Sequence, residues 1–281
     1  MGSTSDHLPA EIVLRLLSIV EQDDAIVIGG QAISIWAEHY RPHIPDLFSR
    51  GPLTSKDLDF FRNEAAVKRL VSELNAKARK ATIDDFTPSA ASVVAVLMDR
   101  SIVIDFMNQV AGVDRQQLVK RRVRLTGRDW ATDRQITIPV MHPMDCVWSR
   151  FGNINNIPRL DEHSSVQARA SLLILSRFIM DAIELGKLQH AQDLLMELCH
   201  LIRNLHQGKH THMDPRVKQY PEDVIKVFKD YEIFDARWRE KTLHTELSRV
   251  VNSMNKLEKH LITRREAMEA RKAAVAAAGS V

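Results

Sequence analysis

The sequence predicts an α+β chain. A mixed-sheet core over residues 1–143 is followed by a helical C-terminal domain over 144–270 and a short tail, 271–281, expected to be disordered. Three observations carry this. Runs of β-branched residues are confined to the first half, as in Ala25-Ile26-Val27-Ile28 and Ile102-Val103-Ile104. Segments with helical periodicity interrupt those runs, yet Ser92–Met98 and Ser101–Met107 follow each other directly, which favours an antiparallel pair within a mixed sheet. After Pro143 the β-branched runs all but stop, and four or five helical segments take their place.

The elements follow in order. Residues 8–21 repeat apolar side chains at helical spacing, with Pro9 suited to a first turn. Residues 25–28 are a short buried strand that runs into Gly29-Gly30, a tight turn. Gln31 to His39 resumes helical spacing, and residues 41–56, with Pro42, Pro45, Gly51 and Pro52, form a loop. Leu58–Phe61 is a second strand. Residues 64–81 are expected to be one amphipathic helix, with Val67, Leu70, Val71 and Leu74 on its apolar side. The strands at 92–98 and 101–107 turn at Asp99-Arg100, and Arg134–Met141 alternates through Ile136, Ile138 and Val140. Beyond Pro143 helices are expected over 166–186, 188–206, 222–231 and 243–270.

Composition excludes several classes. Apolar residues are 44% and charged residues 27%, so the chain has the means to bury a core and is neither collagen-like nor wholly disordered. With Cys146 and Cys199 as its only cysteines, the chain has no disulfide framework and no thiolate zinc site. No stretch reaches the roughly 18 apolar residues that a membrane span needs, and the N-terminus lacks a basic segment followed by an apolar one. No membrane partner and a cytoplasmic location are therefore expected. A net charge of +3 is too balanced to identify a nucleic-acid protein by itself. Glycine is scarce, at 10 residues, so the adjacent pair Gly29-Gly30 calls for a reason.

Chemistry concentrates at three places along the chain. Gly29-Gly30 follows the first strand, Asp57-Leu58-Asp59 lies on the second, and Asp105 interrupts the apolar run Ile104-Asp105-Phe106 on a later one. Side chains two apart on a strand share a face, so Asp57 and Asp59 point the same way. Like charges held that close raise each other's pKa unless a cation neutralises them. With Asp105 from a neighbouring strand they form a candidate catalytic and metal-ligating set for one or two Mg²⁺, or Mn²⁺. The two glycines let backbone amides approach phosphate oxygens without a Cβ in the way.

These residues carry a resemblance. Gly29-Gly30-Gln31-Ala32, then Thr54-Ser55-Lys56-Asp57-Leu58-Asp59-Phe60, then Ile104-Asp105-Phe106 resemble the signature of the polymerase-β-like nucleotidyltransferase superfamily, and most closely its AbiEii/AbiGii-type members. Many of those are toxins of toxin–antitoxin or phage-defence systems. The likeness spans roughly residues 20–165. It implies a nucleotidyltransferase core that moves a nucleoside monophosphate from an NTP to an acceptor hydroxyl. Asp57, Asp59 and Asp105 would be catalytic and would hold the metal, and Gly29 and Gly30 would cradle the NTP. The family's helical Asp with Lys five residues on corresponds to Asp145 and Arg150, an arginine that can clamp phosphate but not act as a base. The acidic position expected shortly afterwards corresponds to Asp161 in Arg159-Leu160-Asp161-Glu162. Lys56 is a further candidate contact to the NTP.

The acceptor implied by the subgroup is RNA, a tRNA end above all, and a toxin implies a cognate antitoxin protein. Seven basic residues between Arg115 and Arg134, with others along 249–272, are candidate contacts for phosphate. A small aminoglycoside-like acceptor is the alternative enzyme reading, and a non-catalytic interaction protein on the same fold is the alternative outside enzymes. His200, His206, His210 and His212 lack the spacing of a helical metal motif and are expected at a helix end and loop.

Overall fold

A computed structural model describes residues 7–49, 53, 55–85, 87–129, 132–156, 162–207, 223–229 and 231–278. The architecture is mixed α+β, with a seven-stranded sheet and a helical C-terminal region. Contacts group the chain into two compact units, Met1–Phe178 and Ile179–Val281.

The first unit opens with α1 (Ala10–Val20), for which Pro9 supplies the N-cap position. Strand β1 (Val27–Ile28) leads without a loop into α2 (Gly29–Tyr40). Strand β2 (Leu58–Phe61) precedes α3 (Glu64–Leu74). The expected helix over 64–81 is shorter than its periodicity suggests. Asn63 caps its start by accepting from the Ala66 amide at 3.0 Å, and Asn75 ends it in a left-handed conformation, φ 47°. The chain then forms an edge strand, β3 (Lys77–Lys80), whose four side chains are all exposed. A strand without an apolar face shows no alternation to detect.

Strands β4 (Ser89–Leu97) and β5 (Arg100–Met107) form the expected antiparallel pair. Their turn is Met98-Asp99, one residue earlier than expected, with both residues at positive φ as a two-residue hairpin requires. Next come α4 (Arg115–Arg121) and β6 (Val123–Asp129), neither of which the basic-rich sequence announced. Strand β7 (Arg134–Val140) completes the sheet in the order β3-β4-β5-β2-β1-β7-β6. The β2–β5 and β1–β7 pairs are parallel and the remaining pairs antiparallel.

One hydrophobic core joins this sheet to its helices. Leu58 and Phe60 of β2 and Ile104 and Phe106 of β5 are fully buried with Leu16 of α1, Ile33 of α2 and Leu70 of α3. The Phe60 and Phe106 rings stack with centroids 5.4 Å apart. Helix α5 (Pro143–Asn156) also belongs to the first unit, beyond the boundary expected at 143. Its attachment is polar as well as apolar. Trp36 of α2 donates to the Met141 carbonyl at 2.9 Å just ahead of it, and Arg121 of α4 pairs with the buried Asp145 inside it.

Helix α6 (Glu162–Glu184) contains the division between the units. The second unit holds α7 (Leu188–Gln207), α8 (residues 223–229), a π-helical stretch at Trp238–Leu243 and α9 (His244–Ala278). Arg203 of α7 binds Glu246 of α9 at 2.9 Å, and burial pushes the Cys199 thiol up to about 12. Helix α9 continues past 270 through the Ala-rich run to Ala278, in line with alanine's high helix propensity. Among the described residues no helix is long and apolar enough to cross a membrane.

Candidate active site

Alternation along β2 builds the site. Leu58 and Phe60 face the core, so Asp59 between them points to the opposite face. The same holds for Asp105 between Ile104 and Phe106 on β5. Because β2 and β5 pair in parallel register with Asp59 opposite Asp105, the two carboxylates stand side by side on one face. Asp57 lies two residues before Asp59 and is exposed, as is Lys56.

Electrostatics report the crowding. The Asp59 carboxyl is raised from 3.8 to about 6, first by burial, then by the charges of Asp105 and Asp57, while Arg150 pulls it back down. Those four side chains therefore share one field. Ser92 of β4, the cross-strand partner of Asp105, donates its hydroxyl to the Asp105 carboxylate and holds that side chain in place.

The glycine pair has a geometric reason. Gly29, the first residue of α2, has φ +69°, and a Cβ there would lie 2.5 Å from Asp59 Oδ2. At Gly30 a Cβ would meet Gln167 Nε2 at 2.9 Å and Ser55 Oγ at 3.0 Å. The space that a side chain would fill is taken by the carboxylate at the helix N-terminus, where the helix dipole favours negative charge. A Gly29→Ala variant must strain its backbone and displace Asp59 together. It is expected to lower stability by about 1–3 kcal/mol, measured by denaturant unfolding. Gly30→Ala has only side-chain atoms to push aside and is expected to lose less.

Arg150 of α5 joins the site through a chain of hydrogen bonds. Its Nη1 donates to Gln167 Oε1 at 2.6 Å, and Gln167 Nε2 lies 2.9 Å from His163 Nε2. Gln167 is 3% exposed, so it fixes Arg150 from within the fold. Sequence reasoning missed Gln167, Ser92 and Ser55. A lone Gln on an apolar helix or a Ser on a strand carries no motif, and their roles depend on tertiary contacts alone.

Other expected residues fall elsewhere. Asp145, the partner of Arg150 in the resemblance, has no exposed side-chain surface and is engaged by Arg121 through two bonds of 3.0 Å and a shorter one. Asp161, His210 and His212 lie outside the described residues. Most of the basic stretch between 115 and 134 is neutralised internally: Arg122 and Arg124 bind Asp24, Arg128 binds Asp133, and Arg134 binds Glu21. The basic residues of α9 from Arg264 to Lys272 are exposed.

Among the described residues no group of three or more His, Cys, Asp or Glu side chains stands in position to hold a metal ion. The donors that Asp59 and Asp105 offer, with Asp57 nearby, are nonetheless hard carboxylate oxygens of the kind Mg²⁺ and Mn²⁺ take, and a divalent cation would relieve the carboxylate repulsion that adds to burial in raising Asp59. No family model matches the chain, and no curated protein or solved structure matches it either.

Proposed function

We propose that the chain is a metal-dependent nucleotidyltransferase that moves a nucleoside monophosphate from an NTP to an acceptor hydroxyl. The observation that carries this reading is the side-by-side placement of Asp59 and Asp105 against the glycine start of α2, with Arg150 in the same field. Carboxylates repelling one another beside a fixed cation and a helix N-terminus suit a substrate that brings both divalent metal and phosphate.

In this reading Asp59, Asp105 and Asp57 would hold Mg²⁺ or Mn²⁺, which supplies charge neutralisation for the triphosphate. The amides at Gly29 and Gly30 face the phosphates, and Arg150, fixed by Gln167, pairs with them as a permanent cation. Lys56 is exposed beside Asp57 and adds a second positive charge. The acceptor oxygen bonds to the α-phosphorus as the bond to pyrophosphate breaks. Asp105, oriented by Ser92, accepts the acceptor's proton. RNA, a tRNA 3′ end in particular, remains the proposed acceptor on the resemblance, together with a cognate antitoxin as partner. The exposed basic end of α9 suits RNA better than the internally paired arginines before β7.

The test is incubation with each labelled NTP, Mg²⁺ and total RNA or lysate, comparing wild type with Asp59→Ala. Label on RNA that vanishes in the variant supports the reading. Label on protein moves the acceptor class, and absence of transfer with every NTP overturns it. A binding measurement gives an independent check. Millimolar MgCl₂ is expected to raise the thermal midpoint at pH 8 and to do so much less at pH 5, where protons occupy a carboxyl that titrates near 6. Asp59→Asn is expected to remove most of that increase, as followed by differential scanning fluorimetry.

A further inference from the structure

We propose that the cavity between α1, α2 and the β6–β7 hairpin binds a neutral small molecule with an apolar body and one amide-like edge, and that Gln31 recognises that edge. None of the carboxylates of the proposed transfer reaction lines this cavity, although Ser55 beside Gly30 does, and the proposal does not depend on that reaction.

The cavity measures about 580 Å³, within the range of small-molecule sites. Its walls are largely aliphatic: Leu14 and Leu17 from α1, Ile35 from α2, and Ile136 and Ile138 from β7. Gln31 also lines it. Only 8% of Gln31 is exposed, and among the described residues no group hydrogen-bonds its side chain. The side chain is enclosed while its amide opens onto the cavity, so a ligand with a matching edge can take the place of the water that otherwise meets it.

The chemistry of that ligand follows from what the walls leave unanswered. The charges at the rim are already met, Glu38 by Arg41 and Arg128 by Asp133. The single Ser34 hydroxyl proton is shared between the Gly30 and Leu53 carbonyls, and the Thr126 hydroxyl bonds Thr137. No charge on the ligand is called for. A Gln amide presents a donor and an acceptor side by side, so its complement is a group with an acceptor and a donor side by side. Primary carboxamides, lactams and nucleobase edges share that chemistry.

The test uses ¹³C-methyl NMR on the full chain labelled at Ile, Leu and Val, titrated with 2-naphthamide, 2-methylnaphthalene and adenosine. Saturable shifts from 2-naphthamide at Leu14, Leu17, Ile35 and Ile138 are expected. Its affinity is expected to exceed that of 2-methylnaphthalene about tenfold in the wild type, the worth of one buried hydrogen bond. Gln31→Leu is expected to abolish that preference while leaving the hydrocarbon within about twofold. Leu14→Trp, at a half-buried wall position, is expected to block both probes, with the thermal midpoint confirming that it folds. Adenosine that competes with 2-naphthamide identifies a nucleobase as the natural edge, whereas adenosine that fails to compete assigns the site to carboxamides and lactams. Absence of saturable shifts, equal affinities for the two naphthalenes in the wild type, or shifts that persist in Leu14→Trp would overturn the proposal.

Discussion

Asp59→Asn is expected to make the protein more stable at pH 8 while removing the proposed nucleotidyl transfer. The two effects share a cause. In the fold, burial and the neighbouring carboxylates raise this carboxyl from 3.8 to about 6, so its charged form is disfavoured. The sign follows from proton linkage. Between those two values the folded chain binds more protons than the unfolded one, so stability falls as pH rises through the interval. The penalty is absent below about pH 3.8 and complete above about pH 6. Its upper bound is about 3 kcal/mol, from 1.36 kcal/mol per tenfold change in proton affinity. Asparagine keeps the shape and discards the charge, so the variant should gain stability at pH 8, up to that bound, and lose the advantage toward pH 4. If the proposed transfer reaction holds, activity should fall on the order of 10³-fold, because the lost carboxylate would be one of those that hold the metal against the reacting phosphates. Urea unfolding at several pH values with a parallel transfer assay measures both. A destabilised variant at pH 8 would show that Asp59 is instead held ionised by contacts it depends on.

That double behaviour explains how much of the site the sequence revealed. Asp59 and Asp105 stand out in the sequence because a carboxylate between apolar strand residues is costly to bury, and strand alternation announces which face it takes, whereas Asp57, exposed and just ahead of β2, stands out only by its spacing from Asp59. Asp105 was expected on a neighbouring strand, but the register that sets it directly opposite Asp59 was not legible. The chain between β2 and β5 sets that register only after folding. Gly29 was legible as an anomaly in a glycine-poor chain, but its closest neighbour, the Asp59 carboxylate, is a tertiary fact. The fold class emerged from where β-branched runs stop. Strand β6 did not, because a strand carrying Arg124, Thr126 and Arg128 on one side resembles any basic surface segment. Those arginines were expected to attract phosphate and are instead engaged by Asp24 and Asp133. For Arg124 the acidic partner, Asp24, lies a hundred residues away, a distance across which a sequence cannot distinguish a basic patch from one half of an ion pair.

Arg121→Ala is expected to have the largest effect on stability, a loss of about 3–5 kcal/mol, because it takes away the guanidinium that engages both oxygens of a carboxylate with no exposed side-chain surface. Asp145 has no exposed side-chain surface, and both its oxygens accept from the Arg121 guanidinium. The pair ties α4 to the first turn of α5, the helix that carries Arg150 into the candidate site. Replacing both partners together, as Arg121→Met with Asp145→Leu, removes the desolvation cost along with the attraction and is expected to recover most of the stability. That double variant also separates two roles. The resemblance places Asp145 beside the phosphate-binding position, whereas its geometry here is that of a buried clamp between helices. A clamp can be replaced by apolar packing, so the double variant should fold, keep Arg150 against Gln167 and retain nucleotidyl transfer within a few-fold of wild type. A folded double variant that has lost transfer while Mg²⁺ still raises its thermal midpoint would mean that the Asp145 charge itself acts in the reaction. Thermal unfolding of the two single variants and the double variant, with transfer measured on each, distinguishes the clamp from the catalytic charge.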